Sequence, residues 1–450
     1  MATKHKSALG EVLKTSLPAV IDLSSQTITW LIEAIFIGHL SAAALGGVGI
    51  ALQIILLTFT VVLTFVMGAS VIILRYLGQE DRWNANHVFA QALVIGAIFS
   101  VIIFIIWYFG GASIMAIIRE DEPIARIYGE QYIQTVALFS FFIVVNFIAV
   151  GIMRMAGDTL ITMKINLFIN TLHVFLSFVL IFGVGGFPRL EARGAALAAG
   201  VSHTLGSFLT LYYLRSRKSE LFFSFKEFSR VNFQTVKRLF HLGLPTTVEQ
   251  LVWAIGQLVL SFYAARLGII ALATHQVFLR IQSVLTMTFT GFGLASMTLV
   301  GKNLGAEDEH RAVHTGRVAG RVALITAVGI AVLLIAFRTT WMSIFTNNQD
   351  VVTFGASVMV VMAIIQIPKA VNIVFTGNLR GSADLTWLMW LAIGSVIFFE
   401  TILAYLFTFV VELSLYGIWA VMGLDESWRL YWNYQRFRKR KWKRNSEFQQ

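Results

Sequence analysis

Apolar runs of about 20 residues, the length that carries an α-helix across the hydrocarbon core of a bilayer, recur along the whole chain. They start near Leu17, Ala44, Val88, Tyr132, Ile161, Gly194, Leu242, Ile270, Val318, Phe354 and Trp387. A twelfth run, from Leu413, is weaker, because LSLYGIWAVMGL is followed at once by Asp425 and Glu426. Twelve is still the expected number, since an even count leaves the basic C-terminal tail on the same side of the membrane as the N-terminus. The pattern predicts an all-α integral membrane protein with twelve transmembrane helices.

The first run, Leu17 to Leu45, carries two carboxylates, Asp22 and Glu33. Eleven positions at roughly 100° each bring them to about 20° from a whole number of turns, so both acids share one helix face. Gln26, Thr29 and Trp30 fall between them on that face. A charge at the bilayer centre costs about 2.5–3.5 kcal/mol even on the lenient insertion scale, and such residues usually line a cavity or an ion path. The remaining helices are expected to house that path.

The two halves of the chain read as copies. At an offset of 227, Leu17-Pro18 meets Leu244-Pro245, Asp22 meets Glu249, Leu77-Gly78 meets Leu304-Gly305, Glu80-Asp81 meets Glu307-Asp308 and His87 meets His314. At 226, Asn146 meets Asn372, Arg154 meets Arg380 and Asp158 meets Asp384. Six helices separate equivalent helices, so the copies have the same orientation, and a pseudo-two-fold axis along the membrane normal is expected. The expected organisation is a six-helix bundle over residues 1–220, a basic linker over 221–238 and a second six-helix bundle over 239–450. Two bundles meeting at a central cleft is an architecture of secondary transporters.

Composition agrees with a membrane chain. Of 450 residues 57% are hydrophobic and only 13% charged, against ~45–50% and ~25% in soluble domains. The basic balance, +11, would suggest nucleic acid were it not for where the charge lies. With the N-terminus inside, 27 of the 35 Lys and Arg fall in inner loops and tails and six in outer loops, leaving Arg280 and Lys369 within helices. That asymmetry places both termini in the cytoplasm of an inner (plasma) membrane protein. The tail Arg436 to Arg444, RFRKRKWKR, then reads as an anchor on anionic membrane lipids and not as a nucleic-acid site. The N-terminus runs into the first helix without a cleavage pattern, so that helix is expected to be the insertion signal. There is no cysteine, hence no disulfide or thiol nucleophile, and no P-loop, HExxH, GxSxG or GxGxxG pattern. No catalytic residue, metal or cofactor is expected, and a monomer is.

Glu33-Ala-Ile-Phe-Ile-Gly38 followed by Ala44-Leu45 resembles the first helix of the multidrug and toxic compound extrusion (MATE) family. Further matches are LGQEDR at 77–82, LGAEDE at 304–309, MRMAGDT at 153–159, LRGSAD at 379–384, LGLP at 242–245, ALATHQ at 271–276 and GIWAVMGLDESWR at 417–429. The resemblance implies an antiporter that exports lipophilic, often cationic, compounds in exchange for inward H⁺ or Na⁺. The chain departs from the family at several points. Glu33 stands where an Asp is usual, and Trp253 where some members carry a Glu eight residues after the LGLP proline. His173 and Ser177 stand where another branch carries Asn and Asp. The coupling ion is expected to be H⁺ rather than Na⁺.

Cation coupling is assigned to Glu33, with Asp22, its repeat mate Glu249 and His173 as further candidates. The plain alternatives are a helix-end acid for Glu33, helix N-terminal charges for Asp22 and Glu249, and a satisfied interhelical imidazole for His173. Substrate contacts are assigned to Gln26, Trp30, Trp253, Gln257, His275 and Arg280. The two indoles offer a π-face to a cation, and Arg280 is expected to pair with Glu33, Glu249 or Glu400. Lys369 and Glu400 invite a similar reading. Arg154, Asp158, Arg380 and Asp384 are expected to form loop ion pairs that brace each half. Two other functions fit the pattern less well: a flippase for lipid-linked oligosaccharides or cell-wall precursors, which would want a cationic cavity, and a sensor or scaffold without flux.

Overall fold

The computed structural model describes residues 7–118, 122–216, 219–222 and 232–445, and among them every regular element is helical. The first half holds α1 (Ala8–Gly38), α2 (Ala42–Gly78), α3 (Arg82–Ile118), α4 (Pro123–Ala137), α5 (Ser140–Met155), α6 (Thr159–Phe182) and α7 (Glu191–Arg215). The second holds α8 (Phe233–Arg266), α9 (Ile269–Gly305), α10 (Glu309–Ala336), α11 (Arg338–Phe345), α12 (Gln349–Gly381), α13 (Leu385–Ser395) and α14 (Ser414–Arg438). Among the described residues ten helical segments are long and apolar enough to cross a bilayer, and α4 with α5, bent by 67°, makes an eleventh. The twelfth, α14, is too polar to stand out by hydropathy because Asp425, Glu426 and Arg429 interrupt it. All three are buried in the protein, which removes the objection the sequence raises to that helix.

The helices divide into two compact units, Ile21–Gly243 and Met1–Val20 with Leu244–Gln450. Both boundaries fall inside helices, which the expected division at 220 and 239 did not anticipate. Residues 8–20 of α1 belong with the carboxy-terminal unit, where Val12 is buried beside Phe289, Phe292 and Ala319, and Glu11 pairs with Arg311 at 2.8 Å. The start of α8 belongs with the amino-terminal unit, where the Leu239 backbone lies against Gly68 of α2. Pro18 and Pro245 stand next to the two boundaries. Each deletes one backbone hydrogen bond from its helix. Residues 223–231 of the expected linker lie outside the described residues.

The sequence repeat is repeated in the backbone. The bounds of α2 and α9 differ by 227, those of α4–α5 and α12 by 226, and those of α7 and α14 by 223. The turns after α2 and α9 each place a glutamate, Glu80 and Glu307, at φ 61°. In both turns Gly78 and Gly305 are still helical, and the left-handed residue is the glutamate two positions on. The copies diverge in two places. The amino-terminal unit breaks its fourth span at Leu138–Phe139, where the Phe139 ring packs onto Gly200 of α7, whereas α12 runs unbroken. Conversely α13 continues to Val410 in π-helical turns that contain Glu400, whereas α6 is regular.

Candidate functional site

In the amino-terminal unit the polar face of α1 meets a polar face of α6. On α6 the residues are Asn166, Asn170, His173 and Ser177, spaced by four, three and four, which is one helix face. At one end Asp22, 1% exposed, accepts from Asn166 Nδ2 at 2.7 Å and from Arg154 Nε at 2.9 Å. Asn170 donates to Ser25 at 2.9 Å in the next turn. At the other end lies Glu33, 3% exposed, which accepts from the Tyr132 hydroxyl of α4 at 3.1 Å. His173 Nε2 stands 3.7 Å from the same carboxylate oxygen. The rings of Phe36, Phe178 and Phe182 pack mutually at 5.7–5.9 Å beyond Glu33. The two acids of the first helix thus occupy separate pockets about 16 Å apart along the axis, since the rise is about 1.5 Å per residue.

The carboxy-terminal unit repeats the first of these arrangements. Glu249 takes Arg380 at 2.8 Å, as its repeat mate Asp22 takes Arg154. The arginines therefore brace each unit as expected, but by pairing with the first helix of their repeat and not with Asp158 and Asp384. Turns with positive φ at Gly157 and Ala383 separate each arginine from its neighbouring aspartate. Asp158 instead bonds Ser219, and Asp384 bonds Arg436.

A second cluster of buried charge was only partly legible. Arg429 of α14 reaches Asp425 and Glu426 at 2.9 Å each. Asn372 of α12 donates to Glu426 at 2.9 Å and Ser395 donates to Asp425. Glu400, 1% exposed, lies within the electrostatic reach of Lys369 and of these three groups, and its Oε2 has no hydrogen-bond partner among the described residues. That oxygen lies so close to α8 that a Cβ on Gly256 would collide with it, and would also press on the Glu400 carboxyl carbon and Val396. Gly256→Ala is therefore expected to destabilise the protein by about 1–3 kcal/mol, the cost of overpacking a filled core. Thermal unfolding in detergent checks this. Adding Glu400→Ala should recover most of the loss, and simple additivity of the two changes would contradict the assigned contact.

The residues expected to touch substrate are divided between the two units, two in the amino-terminal and four in the carboxy-terminal one. Gln26 is half-buried and Trp30 is 42% exposed. The face of Trp253 is covered by the guanidinium of Arg429 at 3.8 Å, so the chain's own cation holds the position offered to a passenger. Gln257 has a buried Oε1 with no partner among the described residues. His275 is fully buried, 3.4 Å from Ser261 and against the Trp419 ring at 5.7 Å. Arg280 is exposed and makes no ion pair among the described residues, and of the acids proposed for it Glu249 has Arg380. Sequence reasoning missed Tyr132, Asn166, Asn170 and Arg429. The i, i+4, i+7 spacing on α6 was a usable signal for the asparagines; nothing local marked Tyr132.

Seven carboxylates are among the buried residues: Asp22, Glu33, Glu249, Asp384, Glu400, Asp425 and Glu426. Five of them form ion pairs with arginine. The other two are Glu400, which has Arg429 and Lys369 within electrostatic reach, and Glu33, whose direct partners are a phenol and an imidazole, with no arginine among the described residues.

The MatE family model matches the chain twice, over residues 18–179 and 245–406, one match in each repeat. A probable multidrug resistance protein NorM of Thermotoga maritima is 25% identical over 92% of this chain and 89% of its own. An uncharacterised transporter, YisQ, of Bacillus subtilis is 24% identical over 94% and 93%. Among solved structures, a MOP superfamily transporter from Pyrococcus furiosus superposes with TM-score 0.88 at 20% identity, covering 98% of each chain. A MATE transporter in complex with MaL6 gives 0.89 at 20%, covering 99% and 100%.

Proposed function

The chain belongs to the MatE family of multidrug and toxic compound extrusion transporters, and from that premise we propose that it is a secondary antiporter. It exports lipophilic, often cationic, compounds across the inner membrane in exchange for inward H⁺, with both termini in the cytoplasm. The observation that carries this reading is the environment of Glu33, a buried carboxylate with no fixed countercharge at hand. An arginine-paired acid is already neutralised. Glu33 can bind either a proton or an organic cation, and its charge is available to whichever arrives.

The exchange follows from competition. When Glu33 faces outward, a proton neutralises it, the attraction for a bound organic cation is lost, and the passenger leaves. The protonated site then turns inward and releases its proton to the cytoplasm, where the charge can attract the next passenger. A ligand shifts a two-state balance only by its differential affinity for the two states, and a single shared charge supplies that difference. The donor set supports H⁺ over Na⁺. Hard cations want a shell of several oxygens, whereas Tyr132 and His173 offer one hydroxyl and one imidazole. His173, 3.7 Å from the Glu33 carboxylate, is placed to respond to a change in its charge.

The test is ethidium uptake into everted vesicles, whose outer face is the cytoplasmic one, with the H⁺ and Na⁺ gradients varied independently. Uptake driven by an acid-inside H⁺ gradient at zero Na⁺ gradient is expected. Uptake that follows only Na⁺ would overturn the assignment of the ion, and no uptake under any gradient would overturn transport itself.

A further inference from the structure

On the outside of α12, between α10 and α14, the carboxy-terminal unit has an open groove of about 450 Å³. Arg317 and Arg321 of α10 line one wall, and Val371, Phe375, Tyr431 and Tyr434 of α12 and α14 line the rest. The positive-inside count placed both arginines in the inner loop after the eighth run, although Arg321 lies three residues past the expected start of the ninth. Helix α10 begins earlier, at Glu309, so both lie on it, one turn apart on one face.

Both side chains are exposed, and neither makes an ion pair among the described residues. In this they differ from Arg311, Arg380, Arg429, Arg436 and Arg440, each of which has a carboxylate. Two adjacent like charges without an acid repel each other, and they stand over an apolar, aromatic floor. Counted from Glu309 they lie about 12 and 18 Å along a helix about 42 Å long, which exceeds a ~30 Å hydrocarbon core by about 12 Å. With the excess length of the helix on the cytoplasmic side, Arg317 falls at the edge of the hydrocarbon core and Arg321 about 6 Å further in, a distance that an arginine side chain spans to reach the headgroups. The repeat also shows that the fold does not require them: at an offset of 227 the equivalent residues on α3 are Ala90 and Val94, both buried.

We propose that this groove binds one anionic phospholipid of the cytoplasmic leaflet, its phosphodiester held by Arg317 and Arg321 and an acyl chain laid along Val371 and Phe375. Guanidinium groups bind phosphate oxygens through paired charge-assisted hydrogen bonds. Basic pockets between helices on the cytoplasmic side are the expected form of such sites. The site is separate from the basic tail, part of which is already engaged: Arg440 and Lys443 pair with Glu309, and Trp442 is buried.

The test uses the full chain in detergent, with the tail intact, titrated with phosphatidylglycerol, phosphatidylcholine or inorganic phosphate. Retained lipid is read by native mass spectrometry and protection by thermal unfolding. Phosphatidylglycerol is expected to be retained and to raise the unfolding midpoint of the wild type. In R317Q/R321Q its retention should fall roughly ten- to thirtyfold, the loss expected of two basic side chains at an anionic surface. The single variants R317Q and R321Q should each show an intermediate loss, which keeps the test open if the double variant folds poorly. Equal retention by wild type and variants would overturn the proposal. So would equal retention of phosphatidylcholine, and protection by inorganic phosphate alone would exclude a lipid as the source of the anion.

Discussion

Glu33→Gln will abolish substrate efflux while the protein still inserts and folds. The amide has the size of the carboxyl and can still accept from the Tyr132 hydroxyl, now 3.1 Å from Glu33, so packing in the pocket changes little. The change removes the one buried charge in the amino-terminal unit that has no arginine partner among the described residues. The loss should be complete and not partial, because a site that binds the passenger equally well in both states cannot be driven by a gradient, however tightly it binds. Glu33→Asp, which keeps the charge but draws it back from Tyr132, should retain reduced efflux. Substrate uptake by everted vesicles, normalised to inserted protein, checks both. Wild-type efflux by Glu33→Gln would remove Glu33 from the mechanism.

The second large effect is on stability. Arg154→Met leaves Asp22 buried without its countercharge, and removing one partner of a buried ion pair costs about 3–5 kcal/mol. The double variant Asp22→Asn/Arg154→Met should recover most of that, because the isolated charge is what is expensive and not the missing bond. The equivalent cycle at Glu249 and Arg380 should behave alike, since the pair has the same length within 0.1 Å. Chemical unfolding of the four proteins in each cycle measures the coupling. Transport should survive in the rescued double variants. If efflux is lost in them while stability returns, Asp22 and Glu249 belong to the ion path and are more than braces.

How much of this was legible in the sequence depended on the range of the interaction. Span length, the repeat and the two-fold plan are local or periodic features, and apolar runs with a constant offset exposed them. The polar face of α1 was likewise readable from the angle between Asp22 and Glu33. What the sequence could not supply was which partner each acid finds. Arg154 lies 132 residues from Asp22 and Tyr132 lies 99 from Glu33. The two acids therefore looked alike although one is paired with a permanent cation and the other is not. The same blindness made Trp253 look available to a passenger when Arg429, far along the chain, covers it. It also made α14 look a poor span, since a buried and paired charge counts against hydropathy as heavily as a solvated one.

The competition at Glu33 can be measured most directly as proton release on substrate binding. The purified transporter, in weakly buffered detergent solution, is mixed with ethidium while pH is recorded. The account predicts that dye binding expels a proton from the wild type and none from Glu33→Gln. By reciprocity dye affinity should weaken as pH falls, in the limit by about tenfold per pH unit for one competing proton. Equal proton release by the variant, or dye binding to the wild type that is independent of pH, would contradict it.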